Sequence, residues 1–177
     1  FANKFTVFLK SLGYGINYRL KFFKVIKQVL NQALGRNLHN NHIFQTSPNW
    51  KFPEIKPDMI YLKETDLAKL SSLSVEGALE KVRDATIMMA YTGLRFEDFM
   101  TLTKDNLEEH RGKLQIRKVQ SKTKHDVVIP LKPLVKELIE KYDGFPPRMS
   151  NQYFNRQIKV ICQKAGIDKP EMVTAHT

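Results

Sequence analysis

Cysteine is all but missing from this sequence: Cys162 is the only one in 177 residues. An internal disulfide framework is excluded, as is a metal centre built on clustered cysteines, and a reducing cytoplasm is the expected setting. Long apolar runs are missing as well. No stretch approaches the ~20 consecutive apolar residues of a membrane span, and the first residues do not have the make-up of a secretory signal. Acidic residues are missing from the start of the chain, where none precedes Glu54 while Lys4, Lys10, Arg19, Lys21, Lys24, Lys27, Arg36 and Lys51 all do. Much of the net charge of +11 is therefore concentrated there. A helical segment with so much unopposed charge repels itself unless a polyanion is its partner. Nucleic acid is the foremost candidate, an anionic membrane surface the second, and a solvated basic face the third. Arg19, Lys21, Lys24 and Lys27 would then contact phosphates, which positions a protein on a duplex without reading its sequence.

What is present is mostly helical periodicity. Phe5, Phe8, Leu9 and Leu12 recur at helix spacing and stop near Gly13 and Gly15, and Tyr18, Phe22, Val25, Ile26, Val29 and Ala33 form a longer stripe closed by Gly35. Two such helices are too short to bury a full core. From Asn37 to Pro57 the pattern dissolves into Asn, His and the helix breakers Pro48, Pro53 and Pro57, which reads as a linker. Its aromatic residues Phe44, Trp50 and Phe52 are expected to pack against a domain. His39 and His42, with no third ligand nearby, read as polar loop residues.

Further along, Thr65 and Asp66 are expected helix N-caps, with Leu67, Leu70, Leu79, Val82, Thr86 and Met89 carrying one helical period onward. A polar turn over Thr103–Asn106 precedes two β-rich runs, Leu114–Gln120 and Val127–Leu131. Pro133 opens a helix that ends at Gly144, and Ser150 caps another with Phe154, Ile158, Ile161 and Cys162 inward and Gly166 after it. Cys162 is thus packing rather than a nucleophile. The strands carry no carboxylate cluster beside a lysine, which argues against a metal-dependent nuclease.

Three segments carry chemistry. In Tyr91-Thr92-Gly93-Leu94-Arg95-Phe96-Glu97-Asp98 the glycine falls where a helix C-cap belongs and Arg95 opens the next turn, with Asp98 three residues on to orient its guanidinium. Such an arginine suits a phosphate; a plain surface Arg-Asp pair is the other reading. Between the β-rich runs, Ser121-Lys122-Thr123-Lys124-His125-Asp126 puts Lys122 or Lys124 near a hairpin turn. Thr174-Ala175-His176-Thr177 stands at the end.

Arginine on a helix end, lysine on a hairpin and histidine at a helix start, in that order, resemble the catalytic domain of the tyrosine recombinase (phage integrase) family, most closely the integrases of bacterial mobile elements. The resemblance runs from about Tyr61 to Thr177: TGLRFED is similar to the family's first-arginine box, QSKT with VVIPL to its hairpin-lysine segment, and AHT to the opening of its His-x-x-Arg box. The sequence stops one residue short of that box's arginine and before the family's tyrosine nucleophile. Tyr142 and Tyr153 are set aside for that role. Both ends are therefore expected to be cuts in a longer protein, and this chain alone is expected to be inactive.

The resemblance implies a mainly α fold with a small antiparallel β-sheet (α+β). Residues 1–45 would close a helical core-binding domain, 46–58 would link, and 59–177 would begin the catalytic domain. It implies site-specific recombination through a 3′-phosphotyrosyl intermediate, without metal or other cofactor. Arg95 would bind the scissile phosphate and Asp98 would brace the site. His176 would hydrogen-bond the phosphate or shuttle a proton, and Lys122 would protonate the leaving hydroxyl. Lys124, the alternative acid, is otherwise a DNA contact. The implied partners are double-stranded DNA and, at synapsis, three further copies in a homotetramer; the fragment by itself would be a monomer or weak oligomer. No membrane partner is expected, and the protein would work in the bacterial cytoplasm, on the nucleoid when bound. The alternative is a non-catalytic DNA-binding module derived from an integrase.

Overall fold

The computed structural model describes residues 1–51, 54–56 and 59–177. The chain packs as two units, Phe1–Asp58 and Met59–Thr177.

In the first unit, α1 (Ala2–Ser11) and α2 (Ile16–Gly35) are followed by the short α3 (Ile43–Thr46) and a 3₁₀ turn over Pro48–Trp50. The chain reverses between the two long helices at Gly13, whose φ of +77° is costly for any residue with a Cβ. Ala2, Leu9, Phe23, Phe44 and Trp50 make the core, with Phe5, Phe22, Ile26, Leu30 and Leu34 packed around them. Trp50 meets Phe23 edge to face at 5.5 Å between centroids and Phe44 at 6.2 Å. The face of α2 turned inward is not the expected stripe. Tyr18, Val25 and Val29 are exposed, because the rings of Phe44 and Trp50 draw in the Phe23, Ile26, Leu30, Leu34 face instead. His39 is held by Leu30 O (3.0 Å from Nε2) and accepts from the Asn41 amide at Nδ1 (3.1 Å). Phe52, Pro53 and Pro57, read as linker residues, lie outside the described residues.

The second unit contains α4 (Glu64–Ser72), α5 (Gly77–Thr92), α6 (Phe96–Met100), the strands β1 (Leu107–His110), β2 (Lys113–Val119) and β3 (Asp126–Pro130), then α7 (Pro133–Tyr142) and α8 (Asn151–Lys164). The expected fold class holds, a mainly helical α+β arrangement with one three-stranded antiparallel sheet in the order β1-β2-β3. Register pairs Leu107 with Ile116 and Ile116 with Ile129, which puts fully buried Ile116 at the centre of the sheet's inner face.

α5 is the central helix: Val82 and every residue from Asp84 to Met89 are buried, and it packs against α4, α7 and α8. A helix apolar on most sides belongs in the middle of a core. The single helical period expected from Thr65 to Arg95 is broken at Leu73–Glu76, and Gly77 restarts it with φ +63°. α4 also starts earlier than expected, with Lys63 rather than Thr65 or Asp66 at its N-cap; Asp66 caps it from inside, accepting the Lys63 amide at 3.1 Å. β1 escaped sequence reading because Leu107-Glu108-Glu109-His110 has little β-propensity and is a strand only through its pairing with β2.

Asp84 joins α5 to α7 from a fully buried position. Its Oδ1 accepts from Arg83 Nε at 2.7 Å, and its Oδ2 accepts from Lys141 Nζ at 2.6 Å and from Tyr142 Oη at 2.9 Å. Glu80 takes a second bond from Lys141, also 2.6 Å. Cys162 is buried in the core, and burial foremost, with the charge of Asp66 second, pushes its thiol up to about 11.

Candidate active site

The site is built where α5 stops. Thr92 is the last helical residue, and Gly93 takes the left-handed conformation (φ +65°) with its amide bonded to Met89 O at 2.9 Å. Only glycine adopts that φ without strain, so this residue sets the exit direction of the chain. Leu94 and Phe96 are both buried, clamping the backbone on either side of Arg95, which is the N-cap of α6 and is exposed. An exposed side chain thus springs from a fixed Cα.

Asp98 behaves differently from expectation. Among the described residues it makes no ion pair with Arg95. It is buried, and its Oδ1 accepts the Ser121 backbone amide at 2.7 Å. The carboxylate therefore ties α6 to the β2–β3 connection that carries Lys122. Desolvation alone would raise its pKa. The bonds from Ser121 outweigh that, and together with the charges of Arg95 and Lys118 they hold the group below the ordinary carboxylate value of 3.8.

A group with a depressed native pKa stabilises the fold above its unfolded value and loses that contribution as pH falls through the native one. Asp98 should thus add to acid sensitivity below pH 3.8. Asp98→Ala, which leaves the Ser121 amide without its acceptor, is expected to cost ~1–3 kcal/mol in urea unfolding and to flatten this part of the pH profile. An unchanged profile would remove Asp98 as the hairpin's anchor.

The β2–β3 connection is closed by Gln120 N to His125 O (2.8 Å) and Lys124 N to Gln120 O (3.0 Å), with Lys124 itself at φ +58°. Lys124 serves the turn with its backbone and does not line the cavity described next. Lys122 is exposed and has no ion-pair partner among the described residues. His176 sits in a turn in which the Thr174 amide donates to Thr177 Oγ1 (2.7 Å) and the His176 amide to Thr174 Oγ1 (3.2 Å).

These three segments converge. Arg95, Asp98, Ser121, Lys122, Asn151 and His176, together with Phe96 and Glu97, line one cavity of about 420 Å³. It is open enough for a phosphodiester and presents a guanidinium, an ammonium and an imidazole toward it. Ser121 and Asn151 had no signal in the sequence: one is a turn residue adjoining Lys122, the other merely follows a helix cap. Tyr142 and Tyr153 lie outside this cavity. Burial and its bond to Asp84 push the Tyr142 hydroxyl up, away from a nucleophile's range.

The basic residues of the first unit divide. Lys24 and Lys27 share an open face of α2 with Gln28, Asn31 and Gln32, and Lys21 lies over the Tyr18 ring at 5.8 Å. Lys24 stands 4.0 Å from Glu54, an exposed pair that holds it only weakly. Arg19 is half-buried, and its Nε has no partner among the described residues. Among the described residues no group of three or more His, Cys, Asp or Glu side chains is placed to hold a metal ion, and no helix is long and apolar enough to cross a membrane.

A three-stranded antiparallel sheet whose hairpin delivers a lysine to an arginine on a helix end is an integrase-like catalytic fold. No family model matches the sequence. Tyrosine recombinase XerC of Rickettsia prowazekii (strain Madrid E) is 25% identical over 187 residues, covering 94% of this chain and 57% of that protein. Two solved structures share the fold. XerH site-specific recombinase bound to palindromic difH substrate, a post-cleavage complex, superposes with a TM-score of 0.64 at 15% identity, over 99% of this chain and 57% of that one. The integrase from mycobacterium phage Brujita gives 0.54 at 13% identity, over 92% and 55%. This chain spans somewhat more than half the length of the relatives it matches. The chain is similar in sequence to a tyrosine recombinase and shares its fold with these two structures.

Proposed function

We propose that this chain is part of a site-specific DNA recombinase that breaks and rejoins strands through a 3′-phosphotyrosyl intermediate. The observation that carries the reading is the convergence of Arg95, Lys122 and His176, from three separate segments, on one cavity. Strand transfer needs a nucleophile, charge neutralisation at a phosphate that gains negative charge in the transition state, and an acid for the departing 5′-oxygen. Arg95 meets the second need, because a planar guanidinium binds two phosphate oxygens at once. His176 adds a hydrogen bond or moves a proton beside it. Asp98 acts one step back, by holding the hairpin through Ser121.

Lys122 is the acid. General acid catalysis needs a donor within reach of the leaving oxygen, and the hairpin brings the Lys122 ammonium to the cavity that would hold the phosphate. On this reading Lys122→Ala slows cleavage of ordinary DNA by ~10²–10⁴-fold. A substrate with a 5′-thiolate leaving group, which needs no proton, restores the rate. Equal impairment on both substrates would assign the acid elsewhere, with Lys124 next to be tested.

Residues 1–45 are read as the end of a core-binding domain, with Arg19, Lys21, Lys24 and Lys27 on phosphates and Lys124 as a further contact from the catalytic domain. The partner is double-stranded DNA in the bacterial cytoplasm, and the synaptic form is a homotetramer. A second reading, a DNA-binding module without turnover, is favoured by the open basic face of α2, which could serve binding alone. Covalent protein–DNA adducts formed by the complete protein on its target would support the enzyme. Salt-dependent binding with no adduct would support the module.

A further inference from the structure

We propose that Asn151 is a further phosphate-binding residue of this cavity, donating from Nδ2, and that Asn155 is the positioning residue that aims it while fixing the His176 segment. The inference rests on the cavity being a phosphodiester site, as proposed above.

Asn151 is the first residue of α8 and lines the cavity with Arg95, Lys122 and His176. Its backbone is set by Ser150, whose hydroxyl caps the helix by accepting the Tyr153 amide at 3.2 Å. One helical turn on, Asn155 uses both ends of its amide. Its Nδ2 donates to Asn151 Oδ1, and its Oδ1 accepts the Ala175 amide at 2.8 Å. An amide bonded at both ends cannot rotate without breaking a bond.

This chain of bonds has a chemical consequence. With Asn151 Oδ1 committed to Asn155, the side chain offers a ligand only its Nδ2 donors, which have no partner among the described residues. A donor-only group suits an anion and repels the positive edge of a cation or a donor. The one carboxylate of the lining that is buried, Asp98, is turned away to the Ser121 amide and does not compete for Asn151. An amide also stays neutral at every working pH. It can hold a non-bridging phosphate oxygen in one orientation without gaining or losing a proton. Asn155 further couples that donor to the backbone beside His176, so two lining groups from different segments move as one.

The test is binding of a short DNA duplex to the purified chain over a series of salt concentrations, with thermal unfolding recorded for every variant. Asn151→Ala is expected to weaken binding roughly tenfold without changing the salt dependence, since no charge is lost. Asn155→Ala is expected to cost about as much, and the double variant little more than either alone. Asn151→Asp is the decisive substitution. It keeps the shape and the acceptor for Asn155, and at a helix start an aspartate is neutral or stabilising. It replaces the donor with a negative charge, however, and should weaken binding by about a hundredfold, far beyond Gln152→Glu, which makes the same charge change on the exposed neighbour. Equal effects of Asn151→Asp and Gln152→Glu would overturn the proposal, as would full additivity of the two alanine variants. If Arg95→Ala also leaves affinity unchanged, the failure lies with the cavity as a phosphate site and not with Asn151 alone.

Discussion

Arg95→Ala in the complete protein is expected to lower strand cleavage by ~10²–10³-fold, the effect of deleting one preorganised donor to a transition-state charge. The magnitude follows from how Arg95 is held. Its side chain is exposed, so substitution leaves no cavity in the fold, and thermal stability should stay within about 0.5 kcal/mol of the parent. Its Cα is clamped between buried Leu94 and Phe96 behind the left-handed Gly93, so the backbone that presents the guanidinium needs no reorganisation. Single-turnover cleavage of a duplex target would show the rate loss. Duplex affinity measured against salt should lose about one unit of slope, because a single phosphate contact disappears. Arg95→Lys is expected to recover the slope and little of the rate, since an ammonium restores the charge but not the two-pronged geometry. Cleavage by the alanine variant at close to the parent rate would take Arg95 out of the chemistry.

The largest effect on folding is expected at Asp84. It is fully buried and accepts from Arg83, Lys141 and Tyr142 at once, so Asp84→Ala strands two cations and a hydroxyl in the interface between α5 and α7. Breaking a buried pair from one side costs ~3–5 kcal/mol. Lys141 keeps 37% of its side-chain surface and retains Glu80, which favours the lower end. A loss of ~3 kcal/mol corresponds to a fall of ~12–20 °C in melting temperature for a unit of this size. Arg83 also donates to Leu73 O at 2.6 Å, so the α4–α5 connection should loosen in the same variant.

The network also makes an alkaline prediction. Burial alone would lower the Lys141 pKa, but its bonds and attraction to Asp84 and Glu80 outweigh this and raise it above 10.5. Burial first and the bond to Asp84 second raise Tyr142 above 10.0. In both cases the native state holds its proton more tightly than the unfolded chain. The stabilisation is therefore complete below those unfolded values and is lost as pH rises through the native ones. Urea unfolding followed upward from pH 9 should show stability falling more steeply in the parent than in Asp84→Ala. Parallel curves would exclude the network as the source.

Much of this was legible along the chain because it depends on neighbours in sequence. Gly93 as a helix stop, Ser150 as a cap and Pro133 as a first-turn residue each act within one turn of backbone, and local sterics decide them. The order of arginine, hairpin lysine and histidine carried the resemblance to tyrosine recombinases in the same way. Features that depend on a distant partner were not legible. The inward face of α2 was misjudged because Phe22 and Ile26 belong equally to two adjacent stripes, and the choice between them rests with Phe44 and Trp50, which arrive from a polar stretch without periodicity. Asp98 was expected to hold Arg95, three residues away, whereas it bonds Ser121, twenty-three positions on.

By itself, then, the sequence determined the positions of helix ends, the strongly basic character of the first unit, and the three segments that bear the chemistry, since each follows from side-chain volume, charge or backbone φ at adjoining residues. Only the tertiary structure decided that Arg95, Lys122 and His176 share one cavity, that Asp98 serves the hairpin, and that Asn151 joins them through Asn155. The physical reason is that a hydrogen bond or a cavity wall depends on distance in space, and bonds between residues far apart in sequence, Ser121 to Asp98 and Ala175 to Asn155, tie those segments in place.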